Sequence, residues 1–166
     1  MNKIYKESGL IFDFSNSKKP YKADFVGKHN FPMIDFVIET DDSFLLIEVK
    51  NPDNKKAREK NRKEFLTKLK DDYFPKKTVE NFKNTLLRMA IENDFFTKPI
   101  VFILLLEFKD FTKLDRLRLW EPIYNGLPFF LNKFCADNEK CFVAFDILTV
   151  DEFKKWYPKF SIKKEG

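Results

Sequence analysis

The chain is poor in the residues that carry many kinds of chemistry. Among its 166 residues are two cysteines, Cys135 and Cys141, a single histidine, His29, and no glutamine. Two cysteines are no disulfide framework, and with one histidine they make no plausible zinc set. His29 sits in the stretch from Gly27 to Pro32, a predicted loop, and a lone loop histidine is a poor starting point for general-base chemistry. The longest aliphatic run, Ile100 to Leu106, is far short of a membrane span. The opening Met-Asn-Lys-Ile-Tyr-Lys-Glu-Ser-Gly lacks the apolar core of a secretory signal. Internal repeats and low-complexity linkers are lacking too. These absences lead to the expectation of a cytoplasmic protein with no membrane partner.

What is present is the material of a single folded domain. Hydrophobic residues make up 43% and charged residues 34%, which is a globular rather than a disordered balance, and the 21 phenylalanines are expected to carry much of the core. The net charge of +5 is not spread evenly. Asp53 to Lys77 holds ten Lys or Arg against five acids, so this stretch accounts for the whole surplus. A local basic stretch is the footprint expected of phosphate-backbone binding, although a solvated helix face looks the same in sequence.

Immediately before it lies the most informative segment, Met33 to Asn51. Two apolar runs, Ile34 to Ile38 and Phe44 to Val49, flank the polar turn Thr40-Asp41-Asp42-Ser43, a strong hairpin signal. A loop of two residues or of four gives one register: Glu39 faces Phe44, Val37 faces Leu46, and Asp35 lies opposite Glu48. Lys50 then projects from the same face as Glu48. Like charges directly across a strand pair are destabilising. A divalent cation is the usual remedy, because hard cations take oxygen ligands. An exposed face with scattered charges would not confine them to one end of an otherwise apolar hairpin.

Around this hairpin the chain reads as strands first and then alternating helices and strands. Leu10 to Ser15 is a predicted strand, Ser15 to Pro20 a break, and Tyr21 to Val26 a second short strand. A surface helix is expected from Lys55 to about Lys70, with Pro75 separating it from a better one over Thr78 to about Phe95. In that second helix Val79, Phe82, Leu86 and Met89 keep the helical period, with Leu87 and Ile91 widening the buried stripe. Ile100 to Leu106 suits a strand buried on both faces. Helices follow over Thr112 to Tyr124, broken near Pro122, and over Pro128 to about Ala136. Cys141 to Leu148 is a last core strand, and Thr149 caps a helix from Val150 to Tyr157. The expectation is one domain over 1–160 with a disordered basic tail over 161–166. Its class is α/β, a mixed sheet with helices packed on it.

Asp35 followed on the next strand by Glu48-Val49-Lys50 resembles the PD-(D/E)XK nuclease superfamily, the restriction-endonuclease-like fold. The resemblance implies an αβββαβ core with a mixed central sheet flanked by helices. It implies that Asp35 and Glu48, with the backbone carbonyl of Val49, bind Mg²⁺, for which Mn²⁺ can substitute, and that Lys50 orients the attacking water and stabilises charge on the phosphate. It further implies an auxiliary acid near the N-terminus, for which Glu7 is the candidate, and polar side chains on the helix after the motif. With no glutamine in the chain, Asn81, Asn84 and Arg88 stand in that place. Ile34 stands where the family carries proline, with Pro32 nearby. The activity implied is metal-dependent hydrolysis of phosphodiester bonds, with DNA the expected substrate. Lys55, Lys56, Arg58, Arg62 and Lys63 would contact its backbone, and a homodimer or partner subunit would aid targeting. The alternative is a nuclease-like module, weak or inactive in catalysis, that binds nucleic acid or a protein partner in a defence or repair assembly.

A second Glu-x-Lys, Glu107-Phe108-Lys109, follows Asp94 at the same interval that separates Glu48 from Asp35. Phe95 to Pro99 leaves no room for a partner strand, so this set reads as ordinary polar residues bounding a buried strand.

Overall fold

A computed structural model describes residues 3–22, 32–54, 59–92, 98–134 and 141–165. The elements in the first half are β1 (Ile4–Glu7), β2 (Leu10–Asp13), β3 (Lys19–Lys22), β4 (Phe36–Glu39), β5 (Phe44–Lys50), α1 (Glu59–Lys70) and α2 (Tyr73–Ile91). After them come β6 (Ile100–Leu106), α3 (Lys113–Gly126), a 3₁₀ helix (Phe129–Phe134), β7 (Phe142–Leu148), α4 (Val150–Trp156) and β8 (Ser161–Lys164). No helix among the described residues is long and apolar enough to cross a membrane.

A strand flanked by parallel neighbours and covered on both faces needs apolar side chains at every position, not alternate ones. β6 has them, and all but Val101 are buried. It pairs in parallel with β5 on one side and β7 on the other, while β5–β4 and β4–β3 are antiparallel. The result is a five-stranded mixed sheet in the order β3-β4-β5-β6-β7. On one face lie α2 and α3, with Phe82, Leu86, Met89, Leu119 and Ile123 packed on Val37, Leu46, Phe102 and Leu104. The other face is not covered by helices alone, as expected, but by a second sheet in the order β1-β2-β8 together with α4. Leu10, Phe12, Phe14, Phe153 and Ile162 pack there on Phe36, Ile38, Leu45 and Ile47.

Several boundaries differ from the sequence reading, each for a local reason. Glu7 lies on a strand, because Ser8 and Gly9 both take positive φ and turn the chain straight back into β2. β3 begins at Lys19 inside the expected break, and its Pro20 is tolerated because β3 is an edge strand. Pro75 does not separate two helices. It sits in the first turn of α2, where a missing N–H leaves no intrahelical bond unmade, so the helix starts at Tyr73. Leu87 and Ile91 are exposed on α2, whose buried arc is completed by Thr78, Asn81 and Thr85 instead. α3 runs unbroken through Pro122 to Gly126, where a Cβ would meet Val79 Cγ2 at 2.7 Å. The segment after Pro128 is 3₁₀ rather than α-helical.

The largest correction concerns the C-terminus. Residues 161–164 are not a disordered tail but strand β8, paired antiparallel with β2 so that Ile162 lies across from Phe12. One buried side chain, Ile162 at 1% exposure, anchors a segment whose other side chains are mostly basic. Truncation of Ile162 to Ala is therefore expected to destabilise the domain by about 2–5 kcal/mol, as for other buried large-to-small changes. Urea denaturation that shows no change would return the segment to a dispensable tail.

α4 is tied to α3 by a bidentate pair, Arg116 Nη1 and Nη2 to Glu152 Oε1 and Oε2 at 2.9 and 3.0 Å, and Glu152 also closes a capping box with Thr149. The guanidinium of Arg116, joined by the Thr149 backbone, holds the Glu152 carboxyl down to about 2 from an ordinary 4.5. A lowered folded-state pKa gives stability that is complete above the ordinary value and lost as pH falls toward the folded one. The stability difference between the wild type and Glu152→Gln should be constant above about pH 4.5 and shrink progressively toward about pH 2, in denaturant melts taken across that range.

Candidate active site

The hairpin register is the one the even turn dictates. Glu39 pairs with Phe44, Val37 with Leu46 and Phe36 with Ile47. Thr40 N–H donates to the Ser43 carbonyl at 2.9 Å, which makes Thr40 and Ser43 a hydrogen-bonded pair. In an antiparallel ladder such pairs recur every second residue. Ile38–Leu45 and Phe36–Ile47 are the next two, and Ile34–Val49 would be the third.

That third pair is not made. The ladder ends at Phe36, the chain bends at Asp35, and the Ile34 N–H donates instead to Thr85 Oγ1 on α2 at 3.1 Å. Asn84 Nδ2, one residue earlier on α2, donates to the Pro32 carbonyl at 2.9 Å. α2 thus draws residues 32–34 away from β5, and the Asp35 side chain fills the place of the Ile34 carbonyl: Asp35 Oδ2 accepts the Val49 N–H at 2.7 Å. The Val49 carbonyl points to the same side as its N–H, the side from which the Ile34 N–H has turned away.

Glu48 projects from the helix-facing side of β5 and is 2% exposed. Its Oε1 accepts from Lys50 Nζ at 2.6 Å and from Asn81 Nδ2 of α2 at 3.3 Å. Its Oε2 is buried without a hydrogen-bond partner, as is Asn81 Oδ1. Burial, joined by the Glu48 carboxylate, pushes the Asp35 carboxyl up to about 8 against the pull of Lys50 and of the Val49 N–H. Burial alone would lower the Lys50 ammonium, but Glu48 and Asp35 together hold it above its ordinary value. The charge of Glu7, at the end of β1, is also felt at Asp35 and Lys50, as the weakest of the influences on each.

The residues named from sequence therefore divide. Asp35, Glu48, Val49 and Lys50 come together, Asn81 joins them, and Glu7 is felt there only through its charge. Asn84 and Arg88 do not: Asn84 holds Pro32, and Arg88 donates to Glu92 at 2.7 Å and lies against Met33 Sδ at 3.9 Å. Thr85, which lies in no motif, holds Ile34. The row Thr78, Asn81, Thr85, polar and at helical spacing beside an apolar stripe, is the signal that marks it. Among the basic residues, Lys55, Lys56 and Arg58 lie outside the described residues, as do His29 and Asp94. Arg62 is half-exposed and engaged by the chain's own acids, Asp110 at 2.5 Å and Asp53 at 3.3 Å, over the ring of Phe108. Lys63 is exposed and paired with Glu59 at 3.1 Å.

Every atom left wanting a partner on Glu48 and Asn81 is an acceptor oxygen, which a cation satisfies and an apolar ligand does not. Among the described residues no three His, Cys, Asp or Glu side chains assemble into a metal-holding group. The donor set is two carboxylates supplemented by amide and peptide oxygens, which suits a hard cation such as Mg²⁺. No family model, no curated protein and no solved structure matches the chain.

Replacement of Thr85 by the isosteric Val should leave the Ile34 N–H unsatisfied at a cost of about 1–3 kcal/mol in urea denaturation. It should also speed hydrogen exchange at Ile34. A variant as stable as the wild type would mean that α2 does not hold the bend that aims Asp35.

Proposed function

We propose that the chain is a metal-dependent nuclease that hydrolyses phosphodiester bonds, with DNA as the expected substrate. The observation that carries this reading is the meeting of Asp35, Glu48 and Lys50 at the frayed end of the β4–β5 hairpin, with a buried acceptor oxygen of Glu48 left open. The chain order of three antiparallel strands, helices and a parallel strand, from β3 to β6, supports a restriction-endonuclease-like core. Ahead of β3 that reading calls for a helix. The β1–β2 hairpin stands there instead, and supplies Glu7.

In this reading Asp35 and Glu48 hold Mg²⁺, assisted by the Val49 carbonyl and Asn81 Oδ1. Such an ion lowers the pKa of bound water and neutralises charge that develops on the phosphate. The chain's own groups do the rest. The Val49 N–H fixes one oxygen of Asp35 so that the other faces the site. Asn81 Nδ2 steadies the Glu48 carboxylate. Lys50, a compact positive charge on a flexible stem, orients the attacking water and meets the anionic phosphate.

A second reading has its own observation: the direct ion pair between Lys50 and Glu48, which engages the residue that catalysis needs. It describes a catalytically weak nuclease-like module that binds nucleic acid or a protein partner.

Incubation of the pure chain with supercoiled, linear, single-stranded and branched DNA, and with RNA, in Mg²⁺ or Mn²⁺ separates the two. Cleavage is expected, with Asp35→Asn, Glu48→Gln and Lys50→Met each lowering it by on the order of 100-fold or more. Cleavage that survives Asp35→Asn and Lys50→Met would remove the site assignment. Salt-sensitive binding without cleavage would favour the binding module.

A further inference from the structure

We propose that Lys50 is the resident counter-ion of Glu48 and that a divalent cation enters the site by displacing it, turning the ammonium out toward solvent and substrate. The inference rests on the metal-binding reading above. Glu48 is sealed at 2% exposure, and among the described residues its one cationic partner is Lys50, with Nζ at 2.6 Å from Oε1. Oε2 has no hydrogen-bond partner, so the Lys50 ammonium sets its positive charge against one carboxylate oxygen and leaves the other bare. A divalent ion arriving at Oε2 would share a buried carboxylate with an ammonium, and in such surroundings repulsion between like charges is little screened.

Of the groups involved, only Lys50 has somewhere to go. About a third of its side chain, 34%, is already in solvent, whereas the Glu48 side chain is 3% exposed and fixed by the buried Asn81 of α2. The Asp35 carboxylate is likewise held, by the Val49 N–H. The four-carbon stem of lysine lets the head group swing outward without moving the backbone. The ion pair thus keeps the buried acid neutralised in the metal-free protein, and the cation takes over that task as it frees Lys50. The order of events follows: an anionic substrate meets a mobile Lys50 only after the cation is in place.

The test compares Mn²⁺ binding to the full chain, to Lys50→Met and to Lys98→Met by isothermal titration calorimetry. Lys98 pairs with Glu39 at 2.7 Å at the opposite end of the same hairpin, so its loss makes the same change in net charge away from Glu48. Lys50→Met should bind Mn²⁺ about tenfold or more tightly than the wild type, and Lys98→Met should stay within about twofold. Because Lys50→Met leaves Glu48 without its counter-ion and folds less stably, the wild type is also followed by NMR of its lysine ammonium groups. There the Lys50 Nζ signal should move to that of a solvated lysine as Mg²⁺ saturates. If Lys50→Met binds Mn²⁺ no better than the wild type, or the Nζ signal stays in place at saturation, displacement is overturned while the metal site stands. If neither protein binds Mn²⁺, the metal-binding reading falls and this inference with it.

Discussion

One hydrogen bond organises the site: the carboxylate of Asp35 takes the Val49 N–H that a backbone carbonyl would otherwise take. A sheet ladder satisfies its own groups, and a strand pair carried one step further would close Val49 against Ile34 and leave nothing for a ligand. The bend at Asp35 opens that step. It costs two backbone N–H groups their ladder acceptors, and the structure replaces each, the Val49 N–H finding Asp35 and the Ile34 N–H finding Thr85. The polar row on α2 is therefore more than a fault in an apolar stripe. It holds the departing segment at Ile34 through Thr85, while Asn81, one turn away, reaches Glu48.

The second sheet completes the surroundings from the other side. Ser8 and Gly9 turn β1 into β2 with φ of 50° and 73°, and the turn rests on the segment that follows β5. Asn51 Nδ2 donates to the Ser8 carbonyl at 2.9 Å, and a Cβ on Gly9 would meet Asn54 Oδ1 at 2.5 Å. Glycine is needed there twice over, for its φ and for the close approach. The same contacts fix the end of β1 that carries Glu7, whose charge reaches Lys50 and Asp35. An acid from a separate sheet is thus held against the hairpin by amides that follow directly on the Glu-Val-Lys segment. Two acids, Asp35 and Glu48, share one ammonium, and one buried oxygen of Glu48 stays open.

The register of the hairpin was legible because strand side chains alternate and the turn is even, so one count of residues placed Asp35 against Glu48. The bend that makes Asp35 useful was not legible, because it depends on Thr85, fifty-one positions away in sequence. The buried strand β6 announced itself through continuous apolar residues. β8 did not, since a single buried isoleucine among lysines has no period to read, and only its pairing with β2 gives it structure. Pro75 misled for a different reason: proline ends a helix from inside and begins one from the first turn, and the surrounding residues do not say which. The basic stretch was read by charge alone, which does not distinguish Arg62, locked between Asp53 and Asp110, from a cation facing solvent.

The two Glu-x-Lys segments separate motif from site most clearly, because they sit at the C-terminal ends of adjacent parallel strands, β5 and β6. Their sequences are nearly alike and their surroundings are not. Glu107 has a partner for each oxygen, Lys164 Nζ at 2.8 Å on Oε1 and the Val150 N–H at 3.3 Å on Oε2, and so ties β8 and the start of α4 to the central sheet. The Lys109 N–H is held by Asp53 at 2.7 Å. Glu107 is a satisfied structural acid with a fifth of its side chain in solvent, at 20%. Glu48 is more deeply buried, faces a second carboxylate across a broken ladder, and keeps one oxygen open. Burial makes an open acceptor costly, and that cost is what the proposed cation would relieve. The difference between the two segments lies in their neighbours: β5 borders a strand that stops one residue early, and Glu107 borders two elements that close upon it.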